Sequence, residues 1–248
     1  MTSIRVMTYN VRQCQGRDGR TDPERIAAVI AEAGPDVVAL QDLTTTGPNS
    51  QLEQLATRLG MLPYGSRCGR RNGNGFLSWQ PLRAVAEYDL GYGAGCLRAD
   101  LDVDRKRVHL FTVRLDASWY RRHQQVNTLL GPDLLGSSSL PCPLLLLGDF
   151  SGRLALTPEK LHLALALNAV QRPLWAATFP ARWPLFACDR GYLRGDLRVL
   201  HACVQRSRLA RQASNHLPFL LTVEINDPRT FLPLNSHFRG NIMDAAPG

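Results

Sequence analysis

The sequence predicts an α/β fold in which two β-sheets pack face to face with helices outside. Three observations predict it. Short apolar runs with strand character recur from residue 4 to residue 224. Four or so segments repeat their apolar residues at helical spacing. Strands and helices follow one another in mixed order, which argues for packed layers around a shared core.

The elements can be justified in turn. Ile4 to Val11 reads as the first strand. Asp22 is an N-cap with Pro23 at the first helical position. Ile26, Val29, Ile30 and Ala33 then recur at helical spacing, and Gly34-Pro35 stops that helix. Asp36 to Gln41 is a buried strand. A second helix, Gln51 to Leu59, is expected to bury Leu52, Leu55, Ala56 and Leu59. Residues 64–75 are rich in Gly, Arg and Asn and read as a basic loop. Strands are expected near 75–79, 83–89, 95–101 and 107–115. Trp119, His123, Val126 and Leu130 are expected to share one face of a helix. Gly136 to Ser139 is a surface linker, and Leu144 to Leu147 a fully buried strand. Thr157 caps a further helix at Thr157-Pro158-Glu159. The last strands fall near 186–193, 198–204 and 217–224.

Composition narrows the class. The 248 residues fit one large domain or two small ones, and 44% hydrophobic content is ample for a core. No repeat or internal boundary is visible, so residues 1–225 are expected to form one domain. Residues 226–248 hold Asn, Pro and Gly without periodicity and read as a tail. No apolar run approaches the roughly 20 residues that span a bilayer. The start lacks the basic-then-apolar layout of a signal peptide, so a soluble, cytoplasmic protein is expected. The six cysteines, at 14, 68, 96, 142, 188 and 203, form no close pair. That points away from a zinc site or a dense disulfide framework. Net charge is +8, yet only Lys106 and Lys160 among the 29 basic residues are lysine. The arginines are scattered, so charge alone does not specify a nucleic-acid partner.

The chemistry sits in short words at strand ends. These are Tyr9-Asn10-Val11, Leu40-Gln41-Asp42, Gly148-Asp149-Phe150, Cys188-Asp189-Arg190 and Ser214-Asn215-His216-Leu217. Each places an amide, carboxylate or imidazole where an apolar run stops. Taken singly, each has a bland reading. Asn10 closes a turn, Asp149 follows a buried strand, Asp189 pairs with Arg190, and His216 is a structural histidine. Five such words in order suggest strands delivering a polar cluster to one rim of a β-rich core.

With these words the chain resembles the endonuclease/exonuclease/phosphatase superfamily, metal-dependent phosphoesterases related to pancreatic-type deoxyribonuclease. The resemblance covers residues 4–224. It rests on Ile4–Asn10, Asp22-Pro23-Glu24-Arg25-Ile26, Asp36–Asp42, Leu144–Phe150, Thr178-Phe179-Pro180-Ala181 and Ser214–Pro218. It implies a four-layer α/β sandwich. It also implies hydrolysis of a phosphoester by in-line attack of water, with Mg2+ or Mn2+ neutralising phosphoryl charge. Residue by residue, it implies catalytic roles for Asn10, Asp149, Asp189 and His216. Asn10 orients the nucleophile or metal shell, Asp149 the water, and Asp189 supports the His216 imidazole.

The same resemblance marks departures. It implies a glutamate where Asp42 stands, so a metal-binding carboxylate there is one methylene shorter. It implies a histidine at Arg114, where a guanidinium cannot serve as a general acid but can clamp phosphate. A strand-end arginine in solvent is the bland alternative. It implies an asparagine at Ser151, which keeps a donor, and an aspartate at Asn215 beside the metal-phosphate centre. Asp42 and Asn215 are the expected metal residues; Arg114 and Ser151 are the expected phosphate contacts.

Two functions compete. One is a metal-dependent phosphodiesterase or phosphatase of altered efficiency. The other is a non-catalytic family member that grips a phosphorylated ligand, favoured by the residues at 42, 114, 151 and 215. A third reading makes the chain an interaction protein using its 226–248 tail. Arg67, Arg70 and Arg71 can contact a polyanion or remain solvated. Phosphorylated small molecules, lipid head groups and nucleic acid all remain open as partners.

Overall fold

The structure is a computed structural model that describes residues 3–67, 73–104, 106–137, 140, 143–151 and 177–225. The first sheet holds β1 (Ser3–Asn10), β2 (Val37–Leu43), β3 (Leu62–Gly65), β4 (Gly73–Ser78), β10 (Leu197–Val204) and β11 (Phe219–Ile225). Their spatial order is β10-β11-β1-β2-β4-β3. The second sheet holds β5 (Leu82–Gly91), β6 (Ala94–Val103), β7 (Lys106–Arg114), β8 (Leu144–Asp149) and β9 (Asp189–Arg194), in sequential order.

Each sheet has one parallel pair among its inner strands, β1 with β2 and β7 with β8. The other pairings are antiparallel. This sets where polar ends collect. The parallel strands finish at one rim, and their antiparallel neighbours β9 and β11 begin there.

Period-2 alternation divides the side chains between layers. Ile4, Val6, Val37 and Ala39 face Leu97, Ala99, Leu110, Leu145 and Leu147 in the core between the sheets. Met7, Tyr9, Val38 and Leu40 turn outward under α1 (Pro23–Ala33) and α2 (Gln51–Leu59). Phe111, Val113, Leu144 and Leu146 turn outward under α3 (Trp119–Leu129). The result is the expected four-layer α/β sandwich. A buried polar residue crosses the central layer: Gln41 Nε2 donates to Thr8 Oγ1 at 3.0 Å and Thr112 Oγ1 at 2.9 Å. It ties β1 and β2 to β7.

The first two helices follow their signals. Asp22 accepts from the Arg25 N–H at 3.0 Å, and Gly34 closes α1 in the left-handed conformation at φ +58°. Ser50 caps α2 by accepting from the Glu53 N–H.

Other elements depart from expectation. Leu62–Gly65 is a short edge strand, where a loop was expected from residue 64. A six-residue helix, α4 (Arg208–Ala213), precedes the Ser214 word. The buried face of α3 is Arg122, Gln125, Val126 and Leu129, while Trp119 is 62% exposed. Polar anchoring explains the rotation. Buried Gln125 donates to Gly91 O and accepts from the Asp116 N–H, and Arg122 donates to the Asp116 and Ala117 carbonyls. The helix expected at Thr157, the tail from 226, Arg70, Arg71, Cys68 and Cys142 lie outside the described residues. Among the described residues no helix is long and apolar enough to cross a membrane.

Candidate active site

Strand register gathers the polar ends at one rim. Asn10 ends β1 opposite Gln41 of β2. Arg114 ends β7 opposite Asp149 of β8, and Asp149 pairs with Asp189 at the start of β9. The Ser214–Leu217 segment leads into β11 beside the end of β1. A cleft of about 200 Å³ opens there. Asn10, Asp42, Arg114, Asp149, Ser151, Asn215 and His216 line it. Asp189 lies behind His216, fully buried. Seven of the eight residues singled out from sequence thus line one cleft, and the eighth, Asp189, stands behind it.

Asp149 owes its position to Gly148. A Cβ at Gly148 would lie 2.0 Å from the Val113 carbonyl oxygen, so the β7–β8 approach requires glycine. The Asp149 carboxylate then accepts from Asn10 Nδ2 at 2.8 Å, the Ser151 N–H at 2.8 Å and Ser151 Oγ at 3.1 Å. These donors fix its orientation.

Asp42 reaches the cleft through a backbone irregularity. The β2–β4 register shifts between Gln41 and Leu43, and Asp42 takes φ +60°. A bulge of this kind re-aims a side chain at a strand end. Gln13 Nε2 donates to Asp42 Oδ1 at 3.2 Å, and Arg114 Nη2 lies 3.5 Å from Asp42 Oδ2.

Gln13 belongs to a turn that sequence reasoning missed. Arg12, Gln13 and Cys14 all have positive φ, at 47°, 54° and 54°. Each such non-glycine residue costs about 1–2 kcal/mol. The turn is held by Asn10 Oδ1 accepting from the Arg12 N–H and by Gln51 Nε2 donating to Gln13 O. It brings Arg12 to the cleft wall. No glycine or asparagine marks these positions, so the sequence offered no turn signal.

His216 and Asp189 form the buried centre. His216 Nδ1 is 2.8 Å from Asp189 Oδ2, and His216 Nε2 is 4.0 Å from Asp149 Oδ2. Burial alone would push the imidazole pKa down. The charges of Asp189 and Asp149, with the Asp189 hydrogen bond, outweigh it and push it up to about 9. The Thr-Phe-Pro-Ala word supports this centre. Thr178 Oγ1 accepts from the Asp189 N–H, and the Phe179 ring lies 4.8 Å from the His216 ring. Ser214 Oγ donates to Asn10 O, tying the histidine loop to β1.

The donor set fits a hard divalent cation. Asp42 and Asp149 offer carboxylates, and Asn215 offers an amide oxygen, the ligand types that magnesium and manganese take. Asn215 Oδ1 is buried and has no hydrogen-bond partner among the described residues. An orphaned oxygen in a cleft is what a cation or its water shell would satisfy. Asp149, Asp189 and His216 also bring ligand atoms within 4.8 Å of one another. A histidine bound to Asp189 and pushed toward its charged form is a poor ligand, because coordination needs the neutral ring.

The chain belongs to the Endonuclease/Exonuclease/phosphatase family, whose model matches residues 7–216. Solved structures share the fold. An endonuclease/exonuclease/phosphatase from Beutenbergia cavernae superposes with TM-score 0.73 at 20% identity, covering 91% of this chain and 72% of that one. The mannosyl-6-phosphatase of Bacteroides thetaiotaomicron gives 0.71 at 14% identity, covering 89% and 99%. D. rerio TDP2 complexed with a single-strand DNA product gives 0.70 at 15% identity, covering 90% and 100%. No curated protein sequence gives a significant match.

Proposed function

We propose that this chain hydrolyses a phosphoester with magnesium or manganese bound at Asp42 and Asn215. The observation that carries the reading is the line Asp189–His216–Asp149, with spacings of 2.8 and 4.0 Å and with His216 and Asp149 on the wall of one cleft. Family membership supports phosphoesterase chemistry in general.

The residues divide the work. Asp149, held by Asn10 and Ser151, orients a water and takes its proton as the new P–O bond forms. His216 Nε2, charged under the influence of Asp189, donates a proton to the leaving oxygen as the old P–O bond breaks. Arg114 and Ser151 hold the phosphoryl oxygens, the guanidinium as a fork. A bound divalent cation supplies charge neutralisation at the phosphoryl group. The similar structures include one holding a DNA product and one named for a phosphorylated sugar. Nucleic acid, phosphorylated small molecules and lipid head groups are therefore the substrate classes to screen. Residues 1–225 form the working domain in this reading, in a cytoplasmic protein.

The test is a phosphoester panel with magnesium, with manganese and with chelator. Turnover that requires the metal and disappears in His216→Ala supports the reading. The second reading, a non-catalytic phosphate binder, is favoured by the Arg114–Asp42 ion pair at 3.5 Å, which puts a fixed cation beside the expected metal carboxylate. Phosphate binding that needs no metal, with no turnover on any ester, would select it.

A further inference from the structure

Arg114 stands between two possible partners. Its guanidinium is 3.5 Å from Asp42 Oδ2, while Gln13 holds Oδ1 at 3.2 Å. The Asp42 side chain is 11% exposed and the Arg114 side chain 34% exposed. Arg114 also borders a second groove of about 200 Å³, shared with Tyr92, Gly95 and Asp116. The carboxylate is held by its bulge and by Gln13, and Arg114 borders open volume in both grooves.

We propose that Arg114 is a resident counter-ion of Asp42 that an entering phosphate group draws away, freeing the Asp42 oxygen for a divalent cation. This rests on the reading of Asp42 as a metal residue given under Proposed function. The driving force is charge. A phosphate monoester carries up to two negative charges on oxygens that match the guanidinium fork, against one charge on Asp42. Without phosphate, a cation must compete with Arg114 for Asp42. With phosphate, the two cations no longer share one carboxylate. Phosphate and metal then bind with positive coupling, and linkage makes the coupling reciprocal. The device loads the metal only when a phosphorylated ligand is present.

The test uses the full chain, manganese and inorganic phosphate, with calorimetry and NMR rather than turnover. Saturating phosphate is expected to raise manganese affinity of the wild type by about tenfold or more. Arg114→Gln, at a half-exposed strand end, is expected to bind manganese about tenfold tighter than wild type without phosphate, and to gain less from phosphate. With no metal present, phosphate should move the carboxyl-carbon resonance of Asp42 in wild type but not in Arg114→Gln. The proposal is overturned if Arg114→Gln binds manganese no tighter than wild type while Asp42→Asn abolishes manganese binding. That outcome leaves the metal reading of Asp42 standing. Unchanged manganese binding in Asp42→Asn removes that reading and the proposal with it.

Discussion

The 2.8 Å bond between His216 Nδ1 and Asp189 Oδ2 joins the two sheets of the sandwich. His216 leads into β11 of the first sheet, and Asp189 opens β9 of the second. The pair is thus held by the packing of one sheet on the other. Gln41, which bonds Thr8 and Thr112 across the same interface, guards that spacing beneath the cleft. Chemistry at the rim depends on the core between the layers.

The pair predicts a pH signature in metal-free protein. The folded pKa of His216 is raised from 6.5 to about 9. The folded state then holds a proton that the unfolded chain releases between those values. Its stabilising contribution is complete below pH 6.5 and is lost as pH rises toward 9. NMR titration of the His216 ring should show a midpoint near pH 9, falling in Asp189→Asn. Thermal melts across the same window should decline more steeply in wild type than in His216→Gln. A ring that titrates at the same pH with and without Asp189 would contradict the pairing.

Asp149 carries the second prediction. Asp149→Asn removes the proposed proton acceptor while keeping shape, so hydrolysis should drop about 100-fold or more. Ser151→Ala removes one of several donors to that carboxylate and should cost far less. The comparison is turnover at saturating metal, with melting temperatures as a fold control. Full activity in Asp149→Asn would move the water-activating role elsewhere.

Gly148→Ala tests how the backbone builds the site. The added methyl would collide with the Val113 carbonyl at 2.0 Å, and backbone cannot yield as a flexible side chain can. The β7–β8 pair must separate, costing about 3 kcal/mol or more. A lower melting temperature together with lost activity is expected. A variant as stable as wild type would show that the strands have room the structure does not display.

Legibility differed by the kind of signal. Asn10, Asp149, Asp189 and His216 could be found because each follows or opens an apolar run, and strand ends share a rim. Gly34 announced the helix stop that the structure displays, whereas the close β7–β8 approach at Gly148 carried no reading in the sequence. The aim of Asp42 was not legible, since a bulge shifts register without a sequence mark. Arg12 and Gln13 were missed for a related reason: their left-handed turn is enforced by Asn10 and Gln51. The face of α3 was misjudged because hydrophobicity favoured Trp119, whereas Gln125 and Arg122 found backbone partners that justified burying them. Edge strand β3 was too short and too glycine-flanked to stand out from a loop.

Asn215 gives the last prediction. Its backbone carbonyl accepts from the Ala181 N–H at 2.7 Å, so the loop is held independently of the side chain. Its Oδ1 is buried with no partner among the described residues, and the residue lines the cleft beside His216. Aspartate has nearly the same shape, so Asn215→Asp should fold. Without metal, the new charge joins Asp149 and Asp189 near one imidazole, and the melting temperature should fall at high pH as His216 loses its proton. With magnesium or manganese, the charged oxygen gains a partner, and metal affinity should rise. Asp42→Glu lengthens the other carboxylate proposed to bind metal, so the double variant should bind metal more tightly than either single variant. The measurement is metal affinity by calorimetry beside hydrolysis rate against magnesium concentration. Faster hydrolysis in the revertants identifies the native site as a weakened metal centre. Slower hydrolysis with tighter metal binding identifies Arg114 as a working replacement for part of the cation's charge, since strengthening the metal would then gain nothing.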